Sequence, residues 1–243
     1  MQDLFLIHGW GMNAAVWAPL LGPLSGRFRL HLAELPGHGR QPYADQQDPS
    51  QWACALLEQA PQRAIWLGWS LGGQLALQAA MQAPQRLQRL LLTASTPLFV
   101  RAGDWPSAMP EGTLGQFAQA LEQDYLGTLG RFLALQVRGS AQAKAVLRQL
   151  REGLSQRPAA DPRALAAGLA LLRGADLRPA LTALNCPLHF CFGERDSLIP
   201  IALADDLAAL CPAARVRRIA GAGHAPFLSH PDDWLDWVWE ACP

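Results

Sequence analysis

Residues 64–73 read AIWLGWSLGG, and no other stretch limits the possible folds of this chain as tightly. The first six residues have the length and apolar character of a buried strand. Residues 71–82 are helical by composition. Between them lies Gly68-Trp69-Ser70-Leu71-Gly72, a serine with a glycine two positions away on each side. A strand that turns straight into a helix forces the residue at the turn into a strained backbone conformation. The two backbones then nearly collide, so the positions two away must be small. Such a turn lifts the Ser70 hydroxyl clear of the sheet and sets it at the positive end of a helix, where negative charge is favoured. That geometry suits a nucleophile.

The rest of the chain agrees with a sheet of this kind. Apolar, strand-like runs occur at 3–9, 28–35, 87–95, 187–193 and 214–220, with helical stretches at 13–25, 49–59, 200–210 and from 231 onward. The alternation predicts an α/β fold: a mostly parallel sheet with helices on both faces. Between residues 96 and 184 the rhythm stops, and only helix-like stretches broken by Gly and Pro remain. An unstructured loop of that length is implausible inside a compact domain. The expected organisation is a core of residues 1–96 and 181–243 with an all-helical lid over 97–180. Such an insert sits over the carboxyl ends of the strands, where open α/β sheets bind ligands.

Composition removes several classes. A chain of 243 residues that is 50% hydrophobic and 16% charged can bury a large core. Twenty basic and twenty acidic residues give no overall bias toward nucleic acid or a membrane surface. The N-terminal apolar run is too short for a signal peptide or a membrane span. The five cysteines, at 54, 186, 191, 211 and 242, are odd in number and lack CxxC spacing. Free thiols in the cytoplasm fit them better than a disulfide framework or a zinc site. No metal cluster, G-x-G-x-x-G or Walker pattern is present, so no cofactor is expected.

A serine at neutral pH needs a base, and in this fold the chain order is Ser, acid, His. Three histidines follow Ser70. His189 falls inside a strand, and His230 stands at a helix start, where it can cap. His224 lies in GAGHAPF, a glycine-rich loop after the last strand, and is the expected general base. The acid should come from FGERDSLIP. Asp196 is preferred because the strand must end before a side chain can turn toward His224; Glu194 is the alternative. The oxyanion of acyl transfer needs backbone donors. Leu71 N–H, just past the nucleophile, is one, and Trp10 N–H in the HGWG loop after the first strand is the other. His8 is read as a structural residue with no part in proton transfer.

Together these residues resemble the α/β-hydrolase superfamily. HGWGMNAAVW, ELPGHGR, AIWLGWSLGG, RFLALQ and GHAPFLSHP are similar, over nearly the whole chain, to the pimeloyl-acyl-carrier-protein methyl ester esterase family of biotin synthesis. The resemblance implies hydrolysis of a methyl ester on a pimeloyl chain carried by acyl carrier protein. It places nucleophile, acid and base on Ser70, Asp196 and His224, the oxyanion donors on Trp10 and Leu71, and acyl-pocket contacts on Trp10, Leu71 and Phe132. It aligns carrier-docking cations with Arg131, Lys144 and Arg148, and leaves Gly127 where a further one is usual. Members usually carry more residues before the HGWG strand, so the sheet is expected to be shorter at that edge. General short-chain esterases, thioesterases and C–C hydrolases use the same triad. A non-catalytic protein on this scaffold would more often have lost one of its members.

Charge adds an independent pointer to an acidic partner. Between residues 127 and 157 there are six basic side chains and one acid, Glu152. Lys144, Arg148 and Arg151 recur at i, i+4 and i+7, which aligns them along one helix face. Such a stripe can steer an acidic carrier protein; a plain solvated face is the alternative.

Overall fold

A computed structural model describes residues 1–44 and 48–243. Six strands form one sheet: β1 (Gln2–Ile7), β2 (Phe28–Ala33), β3 (Ala64–Trp69), β4 (Leu87–Thr93), β5 (Leu188–Gly193) and β6 (Arg215–Ile219). Their spatial order is β2-β1-β3-β4-β5-β6, and every neighbouring pair is parallel. β3 and β5 are buried along their whole length, whereas β2 and β6, at the two edges, are half-exposed. This is the burial expected when helices cover both faces of a parallel sheet.

Alternation along β1 shows how the core is divided. Phe5 and Ile7 face one apolar cluster, Leu4 and Leu6 the other. The first face is covered by α2 (Trp52–Gln59) and α3 (Leu71–Gln82). The second is covered by Trp17, by Leu24 of α1 (Leu21–Ser25), and by Trp234, Trp237 and Val238 of α11 (Pro231–Ala241). Each fully buried side chain of this size stabilises the fold by about 1.5–3 kcal/mol.

Between β4 and β5 the chain makes five helices and no strand: α4 (Glu111–Gln123), α5 (Tyr125–Gln136), α6 (Ala143–Ser155), α7 (Pro162–Gly174) and α8 (Arg178–Ala183). They are anchored to both sides of the core. Leu114 of α4 and Leu165 and Leu169 of α7 join the first cluster; Leu133 of α5 and Val146 and Leu150 of α6 join the second. After β5 come α9 (Leu203–Leu210) and, past β6, the four-residue α10 (Pro226–Ser229).

The connections place the site. From β1 the chain moves outward to β2, then crosses back to β3 on the other side of β1. Ile7 is paired with Gly68, so the segments leaving β1 and β3 emerge side by side. This reversal of strand order opens a crevice at the carboxyl ends, the usual ligand position in such sheets.

Candidate active site

Ser70 occupies the bend between β3 and α3 with φ 56° and ψ −121°. A non-glycine residue in that region carries about 1–3 kcal/mol of backbone strain, so the surroundings must hold it. Its N–H donates to Thr93 O at 3.1 Å, and Ser95 Oγ donates to its carbonyl at 2.8 Å. The glycine spacing has a direct steric cause. A Cβ on Gly68 would lie 2.5 Å from Gly73 Cα, and one on Gly72 would lie 2.4 Å from His8 O.

Asp196 and His224 come together from two different loops, after β5 and β6. His224 Nδ1 lies 2.7 Å from Asp196 Oδ2, and both side chains are buried. A carboxylate accepts, so the ring hydrogen sits on Nδ1 and the lone pair on Nε2. Asp196 is itself fixed, because its Oδ1 accepts from Leu198 N at 2.8 Å and Ile199 N at 3.0 Å. Glu194 is occupied elsewhere, accepting from Gly221 N at 2.9 Å. The His224 backbone is held on both sides: its N–H donates to Gln136 O at 3.0 Å, and its carbonyl accepts from Trp69 Nε1 at 2.8 Å. Trp69 immediately precedes Ser70, and its ring packs against the imidazole with centroids 5.8 Å apart. His224 Nε2 is buried with no hydrogen-bond partner among the described residues. An orphaned nitrogen of that kind costs about 1–3 kcal/mol, and it is the atom a general base keeps free. His189 lies in β5, and His230 Nδ1 is 2.8 Å from Ser229 Oγ and caps nothing.

The N–H groups of Trp10 and Leu71 donate to nothing among the described residues. They flank the crevice, one after β1 and one at the first position of α3. The loop bearing Trp10 is fixed by two buried imidazoles. His8 Nδ1 donates to Gly9 O at 2.8 Å, and its Nε2 accepts from Leu35 N at 3.1 Å. His38 Nδ1 donates to Pro36 O at 2.9 Å, and its Nε2 accepts from Gly11 N at 3.3 Å. Both rings are used at both nitrogens, which only the neutral form permits. Burial first, then the neighbouring His38, lowers His8 to a pKa of about 3; burial lowers His38 to about 4.

The Trp10 ring is held by its Nε1, which donates to Leu165 O at 2.8 Å, and by edge contacts with Phe117 and Phe132. Trp10 and Phe132 line a cavity of about 180 Å³ with Phe99, Leu135, Leu169 and Leu198. Leu71 is not part of this lining; its side chain lies under Gly168 of α7. Arg131, on α5, donates to Thr128 Oγ1 at 2.6 Å and lies 3.5 Å from Asp124. Lys144 and Arg148 are exposed on α6, with Arg148 3.7 Å from Glu152. Among the described residues no group of three or more His, Cys, Asp or Glu could hold a metal ion, and no helix is long and apolar enough to cross a membrane.

Three contributors left no trace in the residue pattern. Ser95 supports the bend, His38 ties down Gly11, and the Gln136 carbonyl holds the base. Only the PGHG turn hinted that His38 sits in a tight loop.

Residues 4–231 match the α/β hydrolase fold family. Over 96% of the chain and 89% of the relative, the sequence is 41% identical to the pimeloyl-acyl carrier protein methyl ester esterase of Aliivibrio salmonicida. It is 47% identical to the protein of that name from Xanthomonas oryzae pv. oryzae, over 94% of the chain and 90% of the relative. Among solved structures, an esterase from Exiguobacterium antarcticum superposes with a TM-score of 0.87 at 18% identity, covering 99% of this chain and 91% of that one. A bromoperoxidase from Bacillus anthracis gives 0.85 at 19%, with the same coverage. At those identities the two structures speak for the fold alone. The chain belongs to the α/β-hydrolase fold family, and within it to the family of these two curated esterases.

Proposed function

We propose that this protein is a serine carboxylesterase that hydrolyses the methyl ester of a pimeloyl group carried on acyl carrier protein, a step of biotin biosynthesis in the cytoplasm. The observation that carries the chemistry is the buried Asp196–His224 pair at 2.7 Å, whose outer nitrogen has no partner and which packs beside the Ser70 bend. The substrate is argued from the near-full-length relatives that bear this name.

In this reading Ser70 Oγ attacks the ester carbonyl while His224 Nε2 takes its proton. Asp196 holds the ring in the required tautomer and stabilises the imidazolium that forms. The N–H groups of Trp10 and Leu71 donate hydrogen bonds to the developing oxyanion. Collapse expels methanol, which leaves with the proton from His224. Water, deprotonated by the same nitrogen, then attacks the acyl-enzyme, and the free acid departs. No cofactor takes part.

Residues 97–180 act as the lid over a core of 1–96 and 181–243. The acyl chain lies against Trp10 and Phe132, Leu71 contributing its N–H rather than its side chain, and the acidic carrier docks on Arg131, Lys144 and Arg148. Complementation of a biotin-requiring strain that lacks this esterase tests the assignment. Wild type should restore growth and Ser70→Ala should not; growth with both, or with neither, contradicts it. For the docking face, Arg148→Glu should weaken hydrolysis of the carrier-bound ester while p-nitrophenyl acetate is cleaved as before. Equal losses on both substrates would remove the docking role.

A further inference from the structure

The cavity beside Trp10 has apolar walls and one charged side chain, that of Arg138. The Trp10 and Phe132 rings meet edge to face at 4.8 Å. Because Trp10 N–H is the donor assigned to the oxyanion, that end of the cavity is the reacting end. Phe132, Leu135 and Arg138 then follow at three-residue steps along α5 and the turn after it, all three on the cavity wall. At 1.5 Å per residue, Phe132 to Gln136 covers about 6 Å of helix, and Arg138 lies two residues farther on in the turn, a reach on the order of an extended acyl chain of pimeloyl length.

The far end is polar and positive. Ser197 reaches it, with Oγ donating to Leu135 O at 3.2 Å. Arg195 donates to Gly139 O at 2.9 Å and brings a second positive charge beside the turn. The two acids of the same loop are engaged, Glu194 with Gly221 N and Asp196 with His224. Among the described residues the Arg138 guanidinium makes no hydrogen bond or ion pair. A hydrocarbon chain has no use for a guanidinium; an oxyanion at the end of one does.

We propose that Arg138 is a specificity-determining residue that binds an anionic oxygen at the remote end of a short acyl chain. The enzyme on this account also hydrolyses free half-esters of medium-chain dicarboxylic acids, with the unesterified carboxylate held by Arg138. The inference rests on the esterase reading above. Its chemistry adds no new step: the Ser70 Oγ–C bond forms as the C–O bond to methanol breaks, the alcohol takes its proton from His224, and water then releases the diacid. Arg138 is exposed, so the pair is solvent-screened and the preference modest. A diacid chain much shorter than the cavity leaves its carboxylate short of the guanidinium.

The test measures kcat/KM for monomethyl pimelate and dimethyl pimelate on the full-length protein at low ionic strength. The informative quantity is the ratio of half-ester to diester. Arg138→Ala should lower that ratio about fivefold, within the range of an exposed ion pair. Arg138→Lys should restore most of it, and added salt should erode it in wild type. With monomethyl and dimethyl succinate the corresponding ratio should not respond to Arg138. A pimelate ratio that is the same in wild type and Arg138→Ala overturns the proposal while leaving the esterase intact. Failure to cleave both free pimelate esters while the carrier-bound one is hydrolysed also overturns the proposal; failure on all three overturns the esterase reading itself.

Discussion

Acid should loosen this protein through the two imidazoles that hold the Trp10 loop. In the unfolded chain His8 and His38 titrate near 6.5; in the folded one burial lowers them to about 3 and about 4. Between those values the unfolded chain binds protons that the folded chain refuses, so stability falls with falling pH. It is fully present above 6.5 and is lost on the way down, until about 4 for His38 and about 3 for His8. The slope is about 1.4 kcal/mol per pH unit for each ring. Between pH 6.5 and 5 that amounts to roughly 2 kcal/mol each, a large share of the 5–15 kcal/mol of a typical domain. His189, lowered to about 4 mainly by burial, adds to the same slope, so a variant is needed to isolate one ring. In His38→Gln the bond to Gly11 N is weakened, and stability at pH 7 should drop by about 1–3 kcal/mol. Its stability should then fall less steeply on acidification, by about 1.4 kcal/mol per unit. Urea unfolding followed by fluorescence of the nine tryptophans at several pH values between 7 and 5 reads both effects. Curves for wild type and variant that run parallel would refute a neutral, buried His38.

Two further substitutions probe the site from other directions. Asp196→Asn can still accept from Leu198 N and Ile199 N, so the unfolding midpoint should hardly change. Its amide no longer fixes the His224 tautomer, however, and kcat should fall about 10⁴-fold; a loss of less than tenfold would remove Asp196 from the triad. Gly72→Ala drives a Cβ to within 2.4 Å of the His8 carbonyl, a backbone contact that cannot move aside. It should lower stability by a few kcal/mol and abolish activity; an unchanged melting temperature would mean the backbones are not in contact there.

The parts of this molecule that are visible in the sequence are those in which neighbours in the chain decide the outcome. Each buried strand is an apolar run, and glycine spacing marks the sharp turn between β3 and α3. The helical character of the segment between β4 and β5 followed from the absence of any strand pattern. Boundaries were less legible. The expected strand to residue 35 ends at Ala33, because Glu34 and Leu35 turn into a loop whose N–H groups are taken by Gln59 and His8. The expected helix over 13–25 is a 3-10 segment, Ala14–Leu20, followed by α1, with Pro19 inside the first piece. The four-residue α10 is too short to impose a period. In the candidate site, type, order and loop context single out Ser70, Asp196 and His224, and the structure places Asp196 against His224. Asp196 is the preferred acid in the sequence, and the alternative, Glu194, turns instead to Gly221 N, a contact between two loops that no local pattern encodes. Ser95, His38 and the Gln136 carbonyl act through tertiary hydrogen bonds, which leave no periodic mark on a sequence.

In the proposed mechanism one hydroxyl on a strained bend is activated by an imidazole brought from the other end of the chain. Labelling with a fluorophosphonate, followed by mass spectrometry of the digested protein, tests it most directly. A single adduct is expected on the peptide containing Ser70, absent in Ser70→Ala and formed far more slowly in His224→Ala. An adduct on another residue, none at all, or labelling that ignores the loss of His224 would contradict it.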